Sequence, residues 1–177
     1  MQALQEISEA LIRENINRAV ADVFKTMLQH SPTLKADSFY GQIDSWPPLN
    51  PSKEPSTPQV VGTVGFIGEA NGLIYLYFDQ PFAHLCTCQM LGMTTTELEE
   101  AGEEVVNDAI GELTNMTVGV FKNGISDAGY TCKLTIPSIL RGSSFCVEPI
   151  SSANRFIYSF ECGGHRIVAD ILLKASD

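Results

Sequence analysis

From Asn15 to Leu28 apolar residues recur at helical spacing, with Ile16, Ala19, Val20, Val23, Phe24 and Met27 on one face. The pattern predicts an amphipathic helix and allows a start several residues earlier. Periodicity then stops. Residues 31–58, SPTLKADSFYGQIDSWPPLNPSKEPSTP, are rich in proline, serine and turn formers, and the stretch is longer than an ordinary connection. It reads as a long loop or insertion with a short strand around Phe39 to Ile43. Trp46, the only tryptophan, is assigned to packing against the body.

Two β-branched and aromatic runs follow, QVVGTVGFI (59–67) and GLIYLYF (72–78), separated by GEAN, which predicts a hairpin. Pro81 opens a short helix that runs through Leu91, with Gly92 as its stop. In TTTELEEAGEEVV, Thr94 with Glu97 and Thr96 with Glu99 form overlapping capping boxes for a long helix ending near Asn123. Its acids sit where a helix dipole stabilises them. Four segments beyond it, CKLTIPSILRG, SFCVEPIS, NRFIYSFEC and HRIVADILLK, read as strands joined by Gly, Ser and Asn turns. This order predicts an α+β fold, a mostly antiparallel sheet with helices packed on one face, rather than a doubly wound parallel sheet.

Composition narrows the function classes. With 177 residues, 44% of them hydrophobic and 18% charged, the chain is read as a single domain over residues 1–177; the one linker-like stretch, 31–58, leaves too little before it for a second. The net charge of −10 would repel a phosphate backbone or an anionic bilayer, which argues against nucleic-acid and membrane partners. No apolar run approaches the ~20 residues of a membrane span, and MQALQEISEALIREN lacks the apolar core of a signal peptide, so the expected location is the cytoplasm. The five scattered cysteines, Cys86, Cys88, Cys132, Cys146 and Cys162, suit reduced thiols. Cys86 and Cys88 do not share a helix face, and His30, His84 and His165 have no ligand spacing, so no metal site is expected.

On the long helix, Val106, Ala109, Ile110, Leu113, Thr117, Val120 and Phe121 share the arc that must pack on the sheet. The opposite arc carries Asp108, Glu112, Asn115 and Gly119 in one line facing solvent. A solvated acidic face is the ordinary account of such a line. Two features weigh against it. No basic residue lies four positions from Asp108 or Glu112 to pair with them, and Gly111 and Gly119 each cost about 1 kcal/mol in a helix interior without supplying a turn. Gly119 on the line would let a partner's backbone approach. Asn115 cannot serve as a base near neutral pH, but its amide both donates and accepts, which suffices to orient a water. Such a convex pair is incomplete alone and would work inside another protein's pocket.

These residues resemble the motif of the CheX and CheC chemotaxis phosphatases: an Asp or Ser, then Glu, then Asn, then a distant Pro. Asp108, Glu112, Asn115 and Pro137 match it, with the gap before Pro137 one residue short of the usual length. DAIGELTNMTVG and LTIPSILRG are similar to the family's helix and following strand, and a weaker likeness extends over GFIGEANGLIYLYF and QMLG. The single-site CheX type fits best. E-x-x-N alone has little specificity, since Glu104 with Asn107 and Glu14 with Asn17 share it. Both lack the preceding acid and the following proline, and Glu14 is placed to pair with Arg18. Glu14 and Asn17 are weighed as a degenerate second site of the CheC kind and set aside, because Ala10 replaces the acid.

The resemblance implies a CheX-like fold and a phosphatase acting on a phosphorylated CheY-like response regulator. Asn115 would hold the attacking water, Glu112 would pair with the regulator's lysine, and Asp108 and Gly119 would lie in the contact. The chain would bind no cofactor; Mg²⁺ would sit on the regulator. A homodimer joined through sheet edges is also implied, with the C-terminal strands as candidate edge. The alternative is a non-catalytic regulator-binding or flagellar-switch-like module of the same fold.

Overall fold

The computed structural model describes residues 7–35, 39–40, 58–143, 147 and 152–174. Trp46, Cys146, most of residues 36–57 and nearly all of the predicted strand SFCVEPIS lie outside them.

Helix α1, Glu9–Leu28, starts upstream of the clearest periodicity because the Ser8 hydroxyl accepts from the Leu11 N–H at 3.3 Å and caps it. Two short strands follow, β1 (Thr33–Leu34) and β2 (Phe39–Tyr40), the latter on the first residues of the predicted 39–43 strand. The expected hairpin is β3 (Gln59–Gly68) with β4 (Gly72–Asp79). Asp79 caps α2, Gln80–Leu91, by accepting from the Phe82 N–H at 2.8 Å, and Gly92 ends it with φ 65°.

The predicted long helix is two. Thr94 and Glu97 do form the reciprocal capping box, but it opens a short helix α3, Thr95–Ala101. At Gly102 the backbone takes φ 85° and ψ 177°, a conformation glycine adopts without a Cβ clash, and the chain restarts as α4, Glu103–Asp127. Helix α4 also runs past the expected stop near Asn123. Gly124 is no terminator: a Cβ there would overlap the side chains of Asn15 and Arg18, so it lets α1 cross closely. Arg18 donates to Asn15 Oδ1 at 2.8 Å instead of pairing with Glu14.

The segment CKLTIPSILRG gives two strands, β5 (Cys132–Leu134) and β6 (Ser138–Gly142), both paired to β3, because the link through Pro137 interrupts the ladder. Then β7 (Ala153–Cys162) and β8 (His165–Lys174) form the closing hairpin. All pairings are antiparallel, in the order β1-β7-β8-β4-β3-β5, with β2 also on β7 and β6 also on β3. Of the C-terminal strands, β8 is interior and β7 is partly covered by β1 and β2, at Phe156, Ile157, Phe160 and Glu161, while β5 and β6 stand at the other end of the sheet, beyond β3.

Even-numbered β3 and β4 residues such as Val64, Phe66, Leu76 and Phe78 join Ile16, Val20 and Phe24 of α1 and Ile110, Leu113 and Phe121 of α4 in the main core. The other face is buried too, around Val61, Tyr77, Ile157 and Val168. It holds a charge pair, Arg155 and Asp170, both 0% exposed. Arg155 grips both carboxylate oxygens, Nε to Oδ1 at 2.9 Å and Nη2 to Oδ2 at 2.5 Å, and also donates to the Val147 carbonyl at 2.9 Å. Burial pushes the Asp170 carboxyl up, while Arg155 and the Tyr77 hydroxyl pull it back.

Where α4 crosses β3, Gly62 has no side chain and the buried Thr114 fills the space, donating its hydroxyl to the Ile110 carbonyl at 2.7 Å. A Cβ on Gly62 would overlap that hydroxyl. Gly62→Ala is expected to destabilise the fold by about 1–3 kcal/mol, as overpacked cores do. Denaturant unfolding measures it, and an unchanged midpoint would show that the helix can yield there.

Candidate functional site

Helix α4 is held from below and at its start. Below, Val106, Ile110, Leu113, Thr117 and Phe121 are buried as the arc requires, joined by Thr114, Val118 and Ile125; Val120 is only partly buried. At the start, Arg141 of β6 donates to Asn107 Oδ1 at 2.6 Å and pairs with Glu103 at 2.6 Å, while His84 of α2 reaches Glu103 at 3.2 Å. These contacts to Arg141 and His84 were not foreseeable from spacing, because they join three separate elements.

On the outer side Asp108 and Glu112 are exposed, and Asn115 and Gly119 are partly covered. Asp108, Glu112 and Asn115 make no hydrogen bond or ion pair among the described residues. Lys122, which flanks the line, donates to Asn123 Oδ1 at 3.5 Å and not to an acid of the line. The group is thus a carboxylate and a carboxamide with their hydrogen-bonding capacity unspent, held on a helix that is itself clamped.

The two glycines acquire a common position. Gly111, Asn115 and Gly119 are spaced by four, so they follow one another along the helix with Asn115 in the middle. A Cβ on Gly119 would lie 3.9 Å from Leu134 Cδ1, and one on Gly111 would lie 4.0 Å from Ile139 Cδ1. Both are ordinary contacts, so neither glycine is required by packing. The chain from Leu134 to Ile139, with Pro137 in it, therefore runs along α4 between Gly119 and Gly111, beside the turn that carries Asn115. The proline was far off in sequence; strand pairing to β3 brings it alongside.

Glu14 and Asn17 are exposed on α1, in a line with Ala10, and lie beside Glu9, Arg13 and Leu34 around an open depression. They are not brought near Glu112 or Asn115 by any described hydrogen bond. Burial pushes the thiols of Cys86, Cys132 and Cys162 up, which keeps them protonated and weakly nucleophilic. Among the described residues no three His, Cys, Asp or Glu side chains gather as a metal site, and no helix is long and apolar enough to cross a membrane.

The fold has counterparts among solved structures. A protein assigned to chemotaxis from Desulfovibrio vulgaris Hildenborough is 18% identical, with 92% of this chain and 96% of that one covered and a TM-score of 0.76. The chemotaxis protein CheX of Desulfovibrio desulfuricans is 21% identical, with 92% and 99% covered and a TM-score of 0.73. The CheX of Borrelia burgdorferi, solved in a CheX–CheY–BeF3–Mg²⁺ complex, is 19% identical, with 93% and 98% covered and a TM-score of 0.65. At these identities the likeness establishes the CheX/CheC-like α+β fold. No curated protein is significantly similar in sequence. Residues 60–161, more than half of the chain and including Asp108, Glu112, Asn115 and Pro137, match the profile of the family described as chemotaxis phosphatase CheX. The chain belongs to the CheX family of chemotaxis phosphatases.

Proposed function

We propose that the chain hydrolyses the aspartyl phosphate of a CheY-like response regulator, with Glu112 and Asn115 inserted into the regulator's active site. The observation that carries this reading is the unpaired state of both side chains on an exposed helix line whose backbone is fixed by Arg141 and by the core. A solvated structural face would not need its central amide flanked by two glycines that packing does not demand.

In this reading Asn115 accepts a hydrogen bond from a water and donates to a phosphoryl oxygen, which holds the water in line with phosphorus. Attack forms the new O–P bond as the bond to the aspartyl oxygen breaks, releasing inorganic phosphate and restoring the regulator's carboxylate. Most of the acceleration comes from alignment. Glu112 pairs with the regulator's lysine, and Asp108 and Gly119 lie within the contact. Mg²⁺ stays with the regulator and offsets the phosphoryl charge, so the net charge of −10 is no obstacle and the chain needs no metal of its own. Self-association into a homodimer is part of the proposal only as an expectation, to be read by sedimentation.

The test is phosphate loss from CheY-like regulators of the source organism, phosphorylated with acetyl phosphate, with and without the chain. Acceleration supports the proposal; binding without acceleration would favour an interaction module. Glu112→Ala is expected to raise the half-saturating regulator concentration on the order of 10- to 100-fold, the worth of one hydrogen bond to a charged group. A wild-type titration curve for that variant would remove Glu112 from the contact.

A further inference from the structure

Ile136 is 88% exposed, the most exposed large apolar residue among the described residues; the next, Ile67, is 63% exposed. Exposure of a single apolar side chain is common and by itself says nothing. Its placement and its restraint say more. Leu134 and Ile139 face α4 at Gly119 and Gly111, each within 4.0 Å of where a Cβ would stand, so the stretch between them, with Ile136, passes the turn that carries Asn115. On one side of it Thr135 is tied twice to Gly65: its N–H donates to the Gly65 carbonyl at 2.8 Å, and its hydroxyl accepts from the Gly65 N–H at 2.8 Å. On the other side Pro137 fixes its own φ and has no N–H for the ladder. The link is therefore stiff, and it presents an isoleucine to water at a place where a polar residue would satisfy the same backbone.

The rest of this surface is poor at holding a partner. Asp108 and Glu112 are acidic, exposed and oriented outward, and charges at a rim steer association more than they hold it. Protein contacts that hold usually centre on an apolar side chain seated in a pocket, with polar groups around it. Ile136 is the apolar residue adjacent to the line, already ordered before contact.

We propose that Ile136 is the apolar anchor of the docked complex, seated in an apolar depression on the receiver domain beside its phosphorylated aspartate. This rests on the phosphatase reading above. The anchor sets how tightly and in what orientation the regulator is held, while Asn115 acts on the bound phosphoryl group. Ile136 is thus a docking and specificity residue, not a catalytic one.

The experiment is phosphate loss as a function of regulator concentration, with acetyl-phosphate-phosphorylated CheY-like regulator as the probe and the full chain as catalyst. Ile136→Ser is expected to raise the half-saturating concentration by about ten-fold or more, the worth of burying one such side chain, with the saturated rate unchanged. Ile136→Leu should recover the native value. Ile67→Ser removes an equally apolar side chain paired with Lys133 on β5 and should change neither parameter. Asn115→Ala should show the opposite split, a lost saturated rate at a retained half-saturating concentration. Native half-saturation in Ile136→Ser, or a loss confined to its saturated rate, overturns the anchor. So does a change of oligomeric state on sedimentation, which would assign Ile136 to a second copy of the chain. An Asn115→Ala variant as fast as the native chain would instead overturn the phosphatase reading itself, and the anchor with it.

Discussion

Asn115→Ala is expected to lower the saturated rate of regulator dephosphorylation by about 100-fold or more, the usual cost of removing one fixed hydrogen-bonding group from a transition state. The side chain is partly covered and bonded to no described neighbour, so truncation leaves no buried group unsatisfied and removes little packing. Alanine also raises helix propensity relative to asparagine, so the unfolding midpoint should hold or rise slightly. A stable, docking-competent and inactive protein is therefore the expected product. Asn115→Asp tests the chemistry further, since a carboxylate accepts but cannot donate and would face the phosphoryl charge; it should be as slow as the alanine variant. Phosphate release measured at saturating regulator decides the matter, and a native rate in either variant would exclude Asn115 as the group that orients water.

The largest effect on stability is expected far from that line. Asp170→Asn keeps the side-chain volume but removes the carboxylate that the Arg155 guanidinium, 0% exposed, grips through two hydrogen bonds. Breaking such a pair from one side costs about 3–5 kcal/mol, which for a chain of this size is a fall of roughly 10 °C in Tm. Replacing both partners, as in Arg155→Met with Asp170→Leu, removes the buried charge together with the carboxylate and should recover most of that loss. Thermal unfolding of the single and double variants gives the comparison. Equal destabilisation in both would mean that shape, not charge, sets the cost.

Elements whose signal is local were legible from sequence. Helix α1, the β3–β4 hairpin, α2 between Pro81 and Gly92, and the last two strands each follow from periodicity and punctuation within a dozen or so residues, and the α+β class follows from their order. The line of Asp108, Glu112, Asn115 and Gly119 followed for the same reason, since an uninterrupted helix fixes which residues share a side. The failures needed information from elsewhere in the chain. Gly102 and Gly124 both sit in helical composition; one breaks the helix and the other does not, and what decides for Gly124 is that Asn15 of α1 lies over it. Likewise the partition of LTIPSILRG into two strands depends on β3 pairing with both sides of the Pro137 link. The Arg155–Asp170 pair requires the register of β7 on β8, which apolar alternation alone does not give. Gly111, unexplained by the wheel alone, is placed only when Ile139 is seen across from it.

The contact between Gly62 and Thr114 bears on more than folding. Thr114 precedes Asn115, so the absence of one methyl group on β3 sets how deep the helix lies on the sheet and, with it, how far the Asn115 amide can extend beyond the protein surface. Alignment by about 1 Å can be worth about a hundred-fold in rate. On the proposed reading, the sheet serves as a depth stop for a side chain whose working end operates in another molecule. A change on the hidden side of the helix would then mistune the proposed reaction while every residue assigned to the contact stays the same.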